Sequence, residues 1–318
     1  MSNRLTYVDI LKGFTILWVV WMHMDLPSFI HPSVQMPVFF FISGCFFKPR
    51  PFNEFIKKKF NMLIVPFVFF WSINYLYFVV KNEFVPVNFN LSEVDWYSVI
   101  NIWDKYSYGR ITILWFLVSL FIIDIIWYFI EKYDIKKLFF VISIILLYPI
   151  GGYLYAKNIF YPLPFIPVSH TLTFLPYFVV GAIFGQKILS IIEGNIKVKQ
   201  NYIILISCLI ILLLIQFFPP KPIPYLIYIF PYTIAFIILA LKISYIVRNL
   251  KIMDILNFYG KNSIVVYTTH FQLIKWFALP SYITTQMHFW IICIVEIFLI
   301  LFFNKFMPTI IGKKALFK

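Results

Sequence analysis

Charge is what this chain has least of. Only 13% of its 318 residues are charged, and acids are the scarcer kind, 13 Asp and Glu against 27 Lys and Arg. A water-surrounded domain carries roughly twice that share of charge, so a soluble globule is excluded. Cysteine is also rare. Cys45, Cys208 and Cys293 each lie in an apolar run without paired spacing, which argues against a disulfide framework or a zinc site and leaves them as small core residues. No hydrophilic stretch is long enough for a separate soluble domain. The longest, roughly residues 81–110, carries Trp96, Trp103 and several Tyr, a composition suited to an interfacial cap. No internal repeat is visible, which weakens transporter architectures built on inverted repeats. The first apolar run is interrupted by Asp9, Lys12 and His23 and is followed by no small-x-small cleavage pattern, so it reads as a retained span.

What the chain has instead is apolar surface: 62% hydrophobic and 22% aromatic residues, with a mean hydropathy of +0.86. Apolar segments fall at about 7–24, 35–48, 60–80, 112–131, 137–155, 170–187, 202–218, 223–243, 260–278 and 287–306, most of them near the length that crosses a bilayer. The expected fold is therefore all-α, a polytopic transmembrane bundle of about ten helices forming one integral-membrane domain over 1–318, with no fused soluble domain. Basic residues set its orientation. With a cytoplasmic amino terminus, the inner segments hold Arg4, Lys48, Arg50, Lys57 to Lys59, Lys132, Lys136, Lys137, Lys187, Lys197, Lys199, Lys242, Arg248, Lys251, Lys261, Lys305, Lys313, Lys314 and Lys318. The outer segments hold only Lys81, Lys105, Arg110, Lys157 and Lys221. This bias places both termini in the cytoplasm and the protein in the cell membrane. The net charge of +14 is scattered over short loops, so it reads as a topology signal and not as a nucleic-acid patch. The Pro- and aromatic-rich stretch 158–169 is expected to be an ordered outer loop.

The first apolar segment, TYVDILKGFTILWVVWMHM, carries three ionisable groups on one stripe. At about 100° per residue, His23 returns to roughly 20° from Lys12, with Asp9 about 40° from His23 on the helical wheel. The rise from Lys12 to His23 is roughly 16 Å, about half the hydrocarbon thickness. Charges there are expensive and mark a functional site. Asp9 either pairs with Lys12 at i, i+3 or helps shape a donor site. In FISG of the second span, Gly44 permits close packing and Ser43 offers a hydrogen-bonding wall, but no G-x-S-x-G elbow makes Ser43 a nucleophile. Lys57, Lys58 and Lys59 are either inner-face anchors or phosphate ligands. Ser263, Tyr267 and His270 follow i, i+4, i+7 and form a polar stripe facing a cavity or a partner helix. His270 orients an acceptor or is a buried hydrogen-bonding residue; Trp115 lines a pocket or fills the core. Gly260 and Asn262 look like helix-start chemistry, with Asn262 able to cap. His31, His170 and His288 read as interfacial.

Six strings occur in order: RLTYVDILKGFTILWVVWMH, QMPVFFFISGCFF, FIKKKFNMLIVPF, ILWFLVSLF, LPYFVVGAIFG and LNFYGKNSIVVYTTH. Together they resemble the membrane acyltransferase 3 family over essentially the whole chain, and the opening looks most like its fucose 4-O-acetylase branch. The resemblance implies a ten-helix O-acetyltransferase that moves acetyl from acetyl-CoA to a hydroxyl of a cell-surface or lipid-linked glycan, with no bound cofactor or metal. The family's first-helix pattern, a basic residue, ten intervening residues and a histidine, is filled here by Lys12, where Arg is more common, and His23. Gln35 stands where the fucose branch commonly has a second His. Acyl transfer to an alcohol needs a base for the hydroxyl proton, and imidazole suits that task, which makes His23 the leading catalytic residue. The other function class open to the sequence is a transporter or flippase for a glycan or lipid-linked intermediate, which would also need charges within the membrane.

Overall fold

The computed structural model describes residues 5–28, 30–84, 114–157, 166–194, 198–217, 225–276 and 283–317. The regular elements among them are helices: α1 (Thr6–Met22), α2 (Gln35–Cys45), α3 (Phe52–Lys59), α4 (Val65–Phe84), α5 (Trp115–Lys132), α6 (Lys136–Ile142), α7 (Tyr148–Ala156), α8 (Val168–Ile192), α9 (Val198–Phe217), α10 (Tyr225–Val247), α11 (Met253–Lys261), α12 (Ser263–Trp276) and α13 (Thr285–Phe306). Wide π-turns at Phe60–Ile64 and Ser143–Leu147 join α3 to α4 and α6 to α7. Most of the cap expected around residues 81–110 and the loop at 158–169 lies outside the described residues. Among the described residues, four helical stretches are long and apolar enough to cross a membrane: Lys136–Ala156, Val168–Ile192, Ile227–Val247 and Thr285–Phe306. Gln35–Cys45 and Tyr202–Phe217 are apolar but shorter.

The chain forms two compact units. The first comprises residues 1–47, 174–263 and 284–289; the second comprises 48–173, 264–283 and 290–318.

In the first unit, α1 crosses α11 where two glycines meet. A Cβ added at Gly13 would overlap the Leu256 carbonyl oxygen, and one at Gly260 would overlap the carbonyl oxygen of Asp9. Backbones approach this closely only where side chains are absent. Gly260 is therefore a crossing residue within α11 and not a helix start. Asn262 likewise acts backwards: its amide donates to the Phe258 carbonyl at 2.8 Å, closing α11. The second close crossing joins α2 to α8. Gly44 lies against the Phe178 backbone, Gly181 against Phe41 and Gly185 against Cys45, so GAIFG works as a small-xxx-small face. Gln186 ties the crossing by donating to the Cys45 carbonyl at 2.7 Å.

The second unit packs α5 against α3 and the Phe60–Ile64 turn. Phe55 of α3 stacks on Tyr128 of α5 with ring centroids 4.8 Å apart, and Phe69 and Phe70 of α4 meet Phe303 of α13. After α13 the chain does not leave this unit: residues 308–317 lie back along the π-turn, with Gly312 in left-handed backbone (φ 70°) against Met62.

Because the α1–α11 crossing has no room for a side chain, Gly13→Val and Gly260→Val are each expected to destabilise the protein by at least about 1–3 kcal/mol, as overpacking does. Thermal unfolding of the detergent-purified protein measures this, and an unchanged midpoint in either variant would contradict the crossing.

Candidate active site

The first unit holds the α1 stripe. The helix is stopped just after His23 by Asp25, which adopts left-handed backbone (φ 54°), a conformation Asp tolerates better than most residues, and Pro27 follows. Two indoles fasten the return: Trp21 Nε1 donates to the Pro27 carbonyl at 2.9 Å and Trp18 Nε1 to the Ser28 hydroxyl at 3.2 Å. His23 thus sits exposed at a helix end whose geometry is fixed. Its Nδ1 lies 2.8 Å from the Val19 carbonyl, which can only accept, so Nδ1 carries a proton, and a neutral ring has its lone pair on Nε2. Lys12 Nζ stands 3.5 Å from Asp9 Oδ1, and the aspartate side chain is buried while that of the lysine is about a quarter exposed (23%). Of the two roles open to Asp9, this geometry provides the ion pair. Gln35, buried at the start of α2, donates to the Trp18 carbonyl at 3.4 Å, which brings it beside the C-terminal half of α1. Ser43 is half-buried next to the Gly44 crossing.

The second unit holds the basic run. Lys57 and Lys58 are exposed, whereas Lys59 turns in and pairs with Asp124 of α5 at 2.6 Å, where Asp124 is fully buried. Partial desolvation, then the neighbouring cations Arg50, Lys59 and Lys48, hold the Lys58 ammonium's pKa below its ordinary value, with Asp124 opposing them. One residue beyond the π-turn's start, the buried Asn61 uses its whole amide. Its nitrogen donates to the carbonyls of Lys57 (2.8 Å) and Phe317 (3.0 Å), and its oxygen accepts from the backbone N–H groups of Leu316 (2.7 Å) and Phe317 (3.0 Å).

On α12, Ser263 is half-buried and Tyr267 and His270 are buried. The Tyr267 hydroxyl accepts from the Phe116 N–H at 3.3 Å, satisfying a donor in the first turn of α5 that has no partner within its own helix. His270 Nδ1 donates to the Val266 carbonyl at 2.8 Å, the same i−4 arrangement as His23. Trp115 stacks at 4.3 Å on His170, which also meets the edge of Tyr155 at 5.5 Å. His170 is therefore buried among aromatics, not interfacial as its sequence position suggests, because α5 and α7 close over it. His31 bonds the Ser33 hydroxyl at 2.8 Å, and His288 is half-buried on α13.

Two acids that the sequence reading passed over belong with these groups. Asp124 and Glu296 are each buried on apolar helices, and Glu296 lies 2.8 and 2.9 Å, through its two oxygens, from the Thr269 hydroxyl. Each is an isolated acid within an apolar run, IIDII and IVEIF, and that isolation was the available signal. Asn61 carried no comparable signal. Among the described residues no group of His, Cys, Asp and Glu converges as a metal-binding set.

Long apolar helices that carry buried, paired charges point to a membrane protein with a functional site and not to a soluble one. A sequence profile described as an acyltransferase domain matches residues 5–307, and the chain belongs to the acyltransferase 3 family. It is a membrane acyltransferase. Neither a curated protein nor a solved structure matches the chain.

Breaking a buried ion pair from one side strands the other charge at about 3–5 kcal/mol. Asp124→Asn and Lys59→Met are each expected to lower the unfolding midpoint strongly, and the double variant to lose much less than their sum. Additive losses would mean that the two groups do not depend on one another.

Proposed function

We propose that the protein is a multi-pass O-acetyltransferase of the cell membrane, about ten spans with both termini cytoplasmic, that moves acetyl from acetyl-CoA to a hydroxyl of a cell-surface or lipid-linked glycan, in the manner of the fucose 4-O-acetylase branch. The observation that carries the reading is the α1 arrangement: a His23 ring whose Nδ1 is committed to Val19, on the same helix as the Lys12–Asp9 pair. His23 Nε2 takes the proton of the acceptor hydroxyl as its oxygen attacks the thioester carbonyl. A C–O bond forms, the C–S bond breaks, and the thiolate leaves as CoA, taking up the proton that His23 received. The Val19 carbonyl holds the ring in that tautomer and supports the transient imidazolium, the role that a hydrogen-bond acceptor behind a general base performs.

Lys12 supplies positive charge to the stripe, and Asp9 keeps that charge tolerable within an apolar helix. Lys57 and Lys58 hold donor phosphates as point charges, while Lys59, bonded to Asp124, anchors the helix that presents them. Ser43 contributes a hydroxyl to the donor wall. Gln35 and Ser263 in the first unit, and Trp115, Tyr267 and His270 in the second, are each assigned to acceptor contact, because an amide, a hydroxyl, an indole and a phenol suit the mixed polar and apolar faces of a sugar.

His23→Ala is expected to leave insertion intact and to lower glycan acetylation by about 10²–10⁴-fold, the usual contribution of a general base. Mass spectrometry of glycans from cells carrying only the variant measures it, and more than a tenth of wild-type acetylation would remove the base role. In the same assay Lys12→Arg retains activity and Lys12→Met loses most of it, because the stripe requires the charge. Equal activity of Lys12→Met and wild type would show that the charge is dispensable.

A further inference from the structure

Helix α12 is polar on more than one side, and its polar side chains bond to three different helices. Tyr267 accepts from the Phe116 N–H of α5 at 3.3 Å. Thr269 bonds both oxygens of Glu296 on α13, at 2.8 and 2.9 Å, and its hydroxyl also reaches the Val265 carbonyl of its own helix at 2.7 Å. Gln272, buried near the end of α12, turns its amide nitrogen to the Thr268 and Thr269 carbonyls at 3.0 and 3.1 Å. Its oxygen accepts from Nδ2 of Asn74, buried on α4, at 2.7 Å. All of these groups belong to the second unit.

At about 100° per residue, and with Tyr267 taken as zero, Gln272 points to roughly 140°, Thr269 to roughly 200° and His270 to roughly 300°. The bonds therefore leave α12 on opposite sides, and His270 lies between the Tyr267 and Thr269 directions. A helix fastened on both flanks of one residue resists turning about its axis, so the ring of that residue keeps its heading. Glu296 is an expensive choice for one of these fastenings. It is a buried acid with no ion-pair partner among the described residues, and apolar packing would hold α12 against α13 without it. What a hydrogen bond has and an apolar contact lacks is direction. Polar bonds to α4, α5 and α13 specify a rotation of α12, where apolar contact alone would let it slip.

We propose that Glu296 is a positioning residue for the acceptor: its bond to Thr269, opposed by the Tyr267–Phe116 bond and seconded by Asn74–Gln272, fixes the rotation of α12 and with it the heading of the His270 ring. This rests on the assignment of His270 to acceptor contact above and extends it to a residue on another helix. Glu296 touches no substrate in this account. It acts through Thr269 and His270, and His270 keeps its Nδ1 on the Val266 carbonyl, which leaves Nε2 to face the acceptor.

The test is steady-state kinetics of the full-length protein in detergent, with acetyl-CoA as donor and a membrane glycan fraction from cells lacking the protein as acceptor. Glu296→Leu should raise the apparent KM for the glycan about tenfold or more, as loss of a hydrogen bond to a charged group does, and leave the KM for acetyl-CoA unchanged. Glu296→Gln keeps an acceptor for Thr269 and should retain the wild-type value. Thr269→Val removes the same bond from the other side and should repeat the effect of Glu296→Leu. In a His270→Ala background Glu296→Leu should change nothing further, because it acts through that ring. An unchanged glycan KM in Glu296→Leu or Thr269→Val would overturn the proposal, as would equal loss in the leucine and glutamine variants, or losses that add to those of His270→Ala. A rise in both KM values with a lowered unfolding midpoint would also overturn it, since that marks general damage. If His270→Ala alone left the glycan KM unchanged, the acceptor role of His270 would fail and this inference with it; a raised KM in His270→Ala with none in Glu296→Leu removes the inference alone.

Discussion

An ionised side chain on an apolar helix must find its counter-charge or a hydrogen-bond partner within the protein, because neither lipid nor core supplies one. Each buried acid described here obeys this. Asp9 has Lys12 one turn along the same helix, Asp124 has Lys59 from another helix, and Glu296 has the Thr269 hydroxyl. The first arrangement is local and needs no tertiary structure. The second holds α3 in place, so the direction in which Lys57 and Lys58 face follows from a bond made by their neighbour.

Close helix crossings are the other half of the design. Where α1 meets α11 and α2 meets α8, glycine removes the side chain that would hold the helices apart, and backbone contacts of this kind leave little freedom to slide. Asp9 contributes its carbonyl to the first crossing and its carboxylate to the pair with Lys12. The helix that carries His23 is therefore set in position by contacts that lie several turns from the imidazole, while the local turn at Asp25 sets where the helix ends.

How much of this could be read from the sequence depends on how local each feature is. The Asp9–Lys12 pair was legible because helical geometry alone places i and i+3 side by side. The all-helical class was legible from composition. What was not legible lies far apart in the chain. Asp124 and Lys59 are separated by 65 positions, and nothing near either one names the other. The burial of His170 needs Trp115 and Tyr155 from other helices, so its position beside a proline-rich stretch misleads. Helix α11 hides within a basic loop segment because it is short and only partly apolar, and Gly260 reads as a helix boundary until the α1 backbone is seen against it. The Asn61 bonds to Leu316 and Phe317 leave no trace in local pattern.

The central claim is that an acyl group passes from a CoA thioester to an alcohol on this chain. The most direct measurement is release of free CoA thiol by the purified protein on mixing radiolabelled acetyl-CoA with a membrane glycan fraction, with the label followed into the glycan. The account predicts thiol release that depends on the glycan, matched by an equal amount of base-labile label on it. Movement of glycan or lipid-linked glycan across reconstituted vesicles with no thiol released and no label transferred would contradict it.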